Sequence, residues 1–291
     1  MHFDEYQKHA LETDQKPGRE SDAMVVALLG LAGEVGSLLS EYKKLLRDGP
    51  AHEGFRAQVC EELGDLLWYV ANVASKCGLS LNTIARDNLA KTRARWLPPD
   101  APAPLFDDGF PEGEQLPREF EYTFGYRDVG GKQMVVMLNA QGQAVGDPLT
   151  DNAYADDGYR FHDVLHLAHA AVLGWSPVLR KLLARKRKSA PRIDDVEDGG
   201  RAQVIEEAIA AAVYEYATRH ALLQRVERVD WELLRSVKRL TTPFEVAVRT
   251  EAEWERAFLL AFDLWRRVRD HDGGSVRGDL RSRTLEFVPP R

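Results

Sequence analysis

Cys60-Glu61-Glu62-Leu63-Gly64-Asp65-Leu66-Leu67-Trp68-Tyr69 puts an apolar stripe and an acidic face on the same helix. Leu63, Leu66, Leu67 and Val70 recur at helical spacing, while Glu62 and Asp65 sit one turn apart on a shared face. Two carboxylates that close repel each other. On a helix that packs against others, the repulsion is tolerated where a cation neutralises it or where the face stays wet. Carboxylate oxygens suit a hard divalent ion such as Mg²⁺ or Mn²⁺.

Upstream, Leu31-Ala32-Gly33-Glu34-Val35-Gly36-Ser37-Leu38-Leu39-Ser40-Glu41-Tyr42-Lys43-Lys44 is a second acidic helix. Paired with the first as an antiparallel hairpin, it brings Glu34 opposite Glu62 and Asp65. With both helices quoted, the sequence resembles the MazG-like all-α nucleoside triphosphate pyrophosphohydrolases, whose pattern is E-x-x-E on one helix and E-x-x-D on a later one. Glu62-x-x-Asp65 keeps the second half, whereas Ser37 stands where the pattern has its second Glu after Glu34. Three consequences are open: fewer metal ions, a role for Ser37 through water, or substitution by Glu41 one turn further on. The resemblance covers about the first third of the chain and extends to Asn88-Leu89-Ala90-Lys91-Thr92-Arg93-Ala94-Arg95-Trp96, similar to the family's closing helix. Asn88, Lys91 and Arg95 fall on one polar face suited to a polyphosphate.

The resemblance implies attack of water on the α-phosphorus of a nucleoside triphosphate, releasing the monophosphate and pyrophosphate. It implies a metal that neutralises phosphate charge and acidifies a bound water. Glu34 and Glu62 would ligate it or hold the attacking water, and Asp65 would ligate it. Asn88, Lys91 and Arg95 would take the outer phosphates. Lys44 is a further phosphate candidate, although a basic residue at a helix C-terminus is more often a dipole partner. Tyr69, one turn past Asp65, could stack on a base, while Trp68 reads as a core aromatic. A homodimer or homotetramer is implied by the resemblance alone.

The chain has 291 residues, 44% hydrophobic and 29% charged, the composition of a globular protein long enough for two domains. A net charge of −7 argues against broad nucleic-acid binding. Two cysteines without metal or disulfide spacing, no signal-peptide pattern and no apolar run near ~20 residues lead to the expectation of a cytoplasmic protein with no membrane association.

The fold class read from the pattern is mainly α: a helical bundle over residues 1–97, a Pro-rich linker over 98–118, and a mostly helical second domain with a small antiparallel meander over 119–291. Helices are expected from Phe3 to Thr13, Asp22 to Arg47, Phe55 to Lys76 and Ser80 to Arg95; the second is apolar nearly all round and should be central. Phe120–Phe124, Gln133–Leu138 and Gln143–Val145 are strand-like. Helical periodicity returns near Phe161–Leu173, Val178–Lys186, Gln203–Arg225, Trp231–Leu240 and Thr250–Arg269. The tail from His271 is expected to be loosely ordered.

The second domain has its own chemistry-bearing stretch, Tyr159-Arg160-Phe161-His162-Asp163-Val164-Leu165-His166-Leu167-Ala168-His169. His162, His166 and His169 can project from one helix face, and His-x-x-x-His lets two imidazoles grip one metal. Glu206 and Glu207, an acidic pair in an apolar helix, could complete a site for a second, transition metal. The bland alternative is a buried His–Glu network holding helices in register. His162-Asp163 is also similar to the paired ligands of HD-type phosphohydrolases, without the remaining ligands of that pattern. Arg180 to Lys188, followed by Asp194 to Asp198, reads as a solvated helix end or a phosphate site. The domain resembles the C-terminal extension of some bacterial MazG-like proteins.

The leading expectation is a Mg²⁺-dependent nucleotide pyrophosphohydrolase. Two rivals stand beside it: a metal-dependent hydrolase in the second domain acting on a nucleotide or its product, and a non-catalytic nucleotide sensor.

Overall fold

The computed structural model describes residues 1–97, 101 and 103–290. Contacts divide the chain into two units, Met1–Arg93 and Ala94–Arg291. In the first, α1 (Phe3–Ala10) is followed by α2 (Ser21–Asp48), α3 (Phe55–Lys76) and α4 (Leu81–Trp96), whose last residues belong to the second unit. Gly49-Pro50 breaks the helical run, and the chain reverses. Glu41 lies against His52, Glu34 against Glu62, and Gly30 against Tyr69. As the α2 number falls the α3 number rises, so the two helices form an antiparallel hairpin. Tyr69 needs a glycine at position 30, where a Cβ would come within 2.1 Å of its ring. Ser80 accepts from the Thr83 N–H, capping α4 at its start. Gln7 and Asp4 of α1 take the Leu81 N–H and the Ser80 hydroxyl respectively.

One expectation for this unit fails. The apolar α2 is not buried at the centre of its unit: its buried residues are Ala23, Ala27 and Glu41, while Leu29, Leu39 and Leu46 are 68%, 64% and 71% exposed. The local core is small, built from Ala10, Ala71, Ala74 and Leu81 with Tyr6 and Trp68 against it. Counted through the turn that follows α2, Ser21–Ala51 is also long and apolar enough by length and composition to cross a membrane, whereas the sequence reading expected no apolar run near ~20 residues.

The second unit is built on β1 (Glu119–Val129), β2 (Lys132–Leu138) and β3 (Ala144–Leu149), then α5 (Asp163–Ala168), which continues as a π-helical turn over His169–Leu173. After it come α6 (Pro177–Leu182), α7 (Pro191–Val196), α8 (Gly200–Arg219), α9 (Trp231–Thr241), α10 (Glu251–Asp270), β4 (Gly274–Asp279) and β5 (Thr284–Val288). The tail is therefore ordered. It extends the meander into an antiparallel sheet in the order β3-β2-β1-β4-β5, with Phe120 opposite Gly278 and Phe124 opposite Gly274. The Phe120 ring lies so close to Gly278 that a Cβ would meet it at 2.3 Å; the glycine that makes the tail look loose permits this packing. Trp175, Trp254, Trp265, Phe161, Phe258 and Phe262 fill the core over which the sheet and helices close.

The expected linker over 98–118 also changes. Residues 98–100 and 102 lie outside the described residues, but Asp107 and Leu116 are each 1% exposed. Asp107 accepts from the Leu116 N–H and from the Arg118 and Arg180 guanidinium groups, so this stretch is a packed part of the second unit.

Candidate functional site

Two carboxylate clusters emerge from this fold, with opposite electrostatics. In the first unit, the α2–α3 hairpin brings Glu34 against Glu62, with Asp65 one turn along α3. Partial burial, then the charge of Glu34 and those of Asp65 and Glu61, push Glu62 above its ordinary range. The charges that bear most on Glu62 are all negative. Burial, with Asp65's charge added, also raises Tyr6, which places Asp65 beside α1. The arrangement accumulates negative charge at a half-exposed seam between helices, where carboxylate oxygens suit a hard cation.

In the second unit, α5 and α8 build a cluster in which every hydrogen can be assigned to an acceptor. Glu206 is fully buried, and its Oε1 accepts from Nδ1 of His166 and of His169, each at 3.0 Å. Its Oε2 accepts from the Ser176 hydroxyl at 3.1 Å and the Val178 N–H at 2.9 Å. Burial alone would raise this carboxyl, but His166 and the other donors hold it down at about 2. Burial pushes His166 downward, yet Glu206, with Glu207 behind it, holds it well above its ordinary value; burial carries His169 the other way. The His169 ring turns inward against Trp254 and Phe258. His162 stacks on Tyr159 with 4.5 Å between ring centroids. The two neighbouring ring pairs, His162–His166 and His166–His169, have centroids 5.6 and 6.1 Å apart. Thus the three histidines do meet, though His162 precedes α5 and His169 opens the π-helical turn.

Residues 25–96 match the family described as "MazG nucleotide pyrophosphohydrolase domain", and residues 101–291, more than half the chain, match "MazG C-terminal domain". The chain belongs to the MazG family. It is also similar to "Gene 37 protein" of Mycobacterium phage L5, 36% identical over 101 residues that make up 33% of this chain and 89% of the phage protein. No solved structure matches the chain. The MazG domain marks the chain as a nucleotide pyrophosphohydrolase and contains the whole α2–α3 seam.

Within this MazG domain, the expected auxiliary residues are distributed unevenly. Asn88 and Lys91 are exposed on α4. Arg95 is not with them: it is buried in the second unit, donating to the Val229 carbonyl at 3.0 Å, lying over the Trp96 and Trp231 rings and sitting 3.9 Å from Glu255. A guanidinium so engaged does not serve an outer phosphate. Glu41 does not stand in for the family Glu replaced by Ser37, because it is buried and engaged by Lys44 and by His52 Nε2 at 3.0 Å. The same pair occupies Lys44 and lowers Glu41, Lys44 contributing most. Tyr69 packs flush on Gly30, and Trp68 donates to Thr13 Oγ1 at 2.8 Å while its ring packs on the small core.

Much of the basic run in the MazG C-terminal domain is neither a solvated helix end nor a phosphate site, although Lys181 and Lys188 are exposed. Arg180 and Arg187 are buried, Arg180 on Asp107 and Arg187 between Asp198 and Glu245 at 2.7 Å each. Lys186 pairs with Asp194 at 2.8 Å, so adjacent basic and acidic runs satisfy each other. The partners Asp107, which is buried, and Glu245, which is partly buried, were missed because they lie far away in sequence. The one readable signal was the alternation of the two runs.

Proposed function

We propose that the α2–α3 seam hydrolyses a nucleoside or deoxynucleoside triphosphate to its monophosphate and pyrophosphate with Mg²⁺ or Mn²⁺ as cofactor. The observation that carries this reading is the facing of Glu34 and Glu62, with the charges bearing most on Glu62 all negative, in contrast to Glu41 on the same helix as Glu34, which has both a lysine and a histidine. A divalent cation relieves that repulsion, and the donor set is all oxygen, as a hard ion requires. Glu34, Glu62 and Asp65 would hold it. When bound, the ion neutralises phosphate charge and acidifies a coordinated water.

The chain's own residues supply the rest. Glu62, its carboxyl raised, is suited to accept the proton of the attacking water and to orient that water on the α-phosphorus. Asn88 and Lys91 are the candidates for the outer phosphates, and Tyr69 for an edge of the base site. Arg95, buried on the Val229 carbonyl and beside Glu255, has no part, while Lys44, partly exposed and paired with Glu41, remains a further phosphate candidate. The exposed aliphatic face of α2 fits burial against a second copy of the chain in a homodimer or homotetramer, in the cytoplasm.

The test is chromatography of products after incubating the purified full chain with each common NTP and dNTP plus Mg²⁺ or Mn²⁺. Monophosphate and pyrophosphate from the wild type, absent with Glu62→Ala, are expected. No turnover by wild type overturns the reading. Tight nucleotide binding without turnover would establish instead the sensor suggested by Ser37 in place of the family Glu.

A further inference from the structure

We infer that His162, His166 and Glu207 of the second unit form a binding site for one transition-metal ion of the zinc class, open to a cleft and separate from the acidic seam. The argument begins with hydrogens. The Tyr159 carbonyl can only accept, so its 3.0 Å contact with His162 Nδ1 places the hydrogen on Nδ1 and leaves Nε2 a lone pair. Glu206 likewise takes the Nδ1 hydrogen of His166 at 3.0 Å, and the His166 Nε2 is buried without a hydrogen-bond partner. Glu207 contributes a carboxylate oxygen, 3.4 Å from His166 Nε2 and 3.9 Å from His162 Nε2.

Three acceptor atoms therefore converge. Each lies within 4.8 Å of the others. Ligands at ~2.1 Å from a tetrahedral ion stand roughly 3.4 Å apart, so small side-chain adjustments would close this set around a metal. Two imidazoles and one carboxylate are a borderline-soft donor set that discriminates against Mg²⁺.

The surroundings match what a metal-bound histidine needs. A carboxylate on the far nitrogen fixes ring orientation and tautomer and increases basicity at the ligating nitrogen. Glu206 does this for His166, and is itself fixed by Ser176 and the Val178 amide. Glu206 is not a ligand, because its oxygens already accept from four donors. His169 is excluded as well, for its ring faces Trp254 and Phe258. His162 and Glu207, by contrast, line a cleft of about 460 Å³ together with Lys181 and Gln203. Three ligands leave a fourth position facing this cleft, for water or an anion that Lys181 would favour.

A proton on His166, shared between Glu206 and Glu207, is the competing way to satisfy the same atoms. The experiment separates the two. The full chain is freed of metal by chelator dialysis, saturated with Mg²⁺ and titrated with Co²⁺, whose visible absorption reports coordination, followed by displacement with Zn²⁺. One Co²⁺ per chain is expected in the wild type and in Glu62→Gln, with affinity reduced about 10- to 100-fold or more in Glu207→Gln and in His162→Asn. Glu207 is half-exposed, so Glu207→Gln should melt like the metal-free wild type, and Zn²⁺ should raise the melting temperature of the wild type and of Glu62→Gln but far less that of Glu207→Gln. Absence of Co²⁺ binding by wild type, equal binding by Glu207→Gln, or loss of binding in Glu62→Gln overturns the proposal.

Discussion

The two glutamate clusters show how differently one chain treats a carboxylate. Glu206 is fully buried and accepts four hydrogen bonds, so its charge is cancelled locally and its carboxyl is held at about 2. Glu62 is half-buried, faces Glu34 across a helix hairpin, and is pushed the other way by like charge. The satisfied carboxylate organises its neighbours; the unsatisfied one is left to bind something else. An isolated fold gains nothing from the second arrangement, which is why it points to function.

The largest effect that would break this contrast is at Glu62. Glu62→Ala should lower pyrophosphate release about 10³-fold or more, the scale of losing a group that acts on the reacting water, about 4 kcal/mol in the barrier. It should leave the melting temperature of the metal-free protein unchanged or raised, because the substitution removes repulsion. Steady-state rates together with thermal melts check both halves. A strong loss of stability would mean that Glu62 is structural after all.

Glu206→Ala should behave in the reverse sense. It strands His166, His169, the Ser176 hydroxyl and the Val178 amide without their shared acceptor inside the core. The expected cost is about 3 kcal/mol or more of stability, measured by denaturant unfolding, with the pyrophosphohydrolase site affected only through folding.

The sequence exposes these two environments to different degrees. The acidic seam is local: Glu62 and Asp65 share a helix turn, and a single hairpin brings Glu34 to them, so its composition could be anticipated. Helix α3 runs from Phe55 to Lys76 as expected, because Gly54 and Gly78 bracket an uninterrupted apolar periodicity. The proximity of His162, His166 and His169 was also local, although which nitrogen faces which oxygen depends on α8 and the Tyr159 carbonyl. What sequence hid is non-local. Arg180 finds Asp107, and Arg95 leaves its expected polar face for Glu255 and two tryptophans. Strand β4 was hidden by its glycines, since Gly278 has meaning only beside the Phe120 ring contributed by β1, and β5 is read as a strand only once β4 is there to pair with it. The exposure of α2 was hidden for another reason: its apolar periphery signals burial, and the described residues of the first unit leave much of it uncovered.

Acid should sharpen the contrast, with opposite signs in the two units. Burial raises Asp107, but Arg180, the Leu116 amide and Arg118 outweigh it and hold the carboxyl below its ordinary range. A lowered folded-state value means stability that is present above the ordinary carboxylate range and lost as pH falls through the lowered one. Asp107→Asn should therefore melt below wild type at pH 7, with the gap closing under strong acid. Glu62 has a raised value, so its contribution at neutral pH is destabilising and is relieved as pH falls through that raised range. Glu62→Gln should match or exceed wild type at pH 7 without metal, and lose any advantage under mild acid. Paired thermal melts from pH 7 to pH 3 read both signs.

The smallest effect on the single chain, and the one that extends the comparison from charge to apolar surface, is on α2. Leu29 and Leu39 are mostly exposed, whereas Leu165 and Leu167 in α5 are fully buried. Charging a leucine that is already in water changes monomer stability by only about 0.5 kcal/mol. If a second copy covers this face, the same substitution instead buries an unpaired charge at the interface, and assembly fails. Leu39→Lys should thus leave the unfolding free energy extrapolated to low protein concentration nearly unchanged while shifting the mass measured by light scattering to that of one chain. Because Glu34 and Leu39 share α2, turnover measured on that variant also tells whether the seam needs the assembled helices: retained activity in a single chain would confine the site to one hairpin, and lost activity with intact folding would make the covered face part of the site.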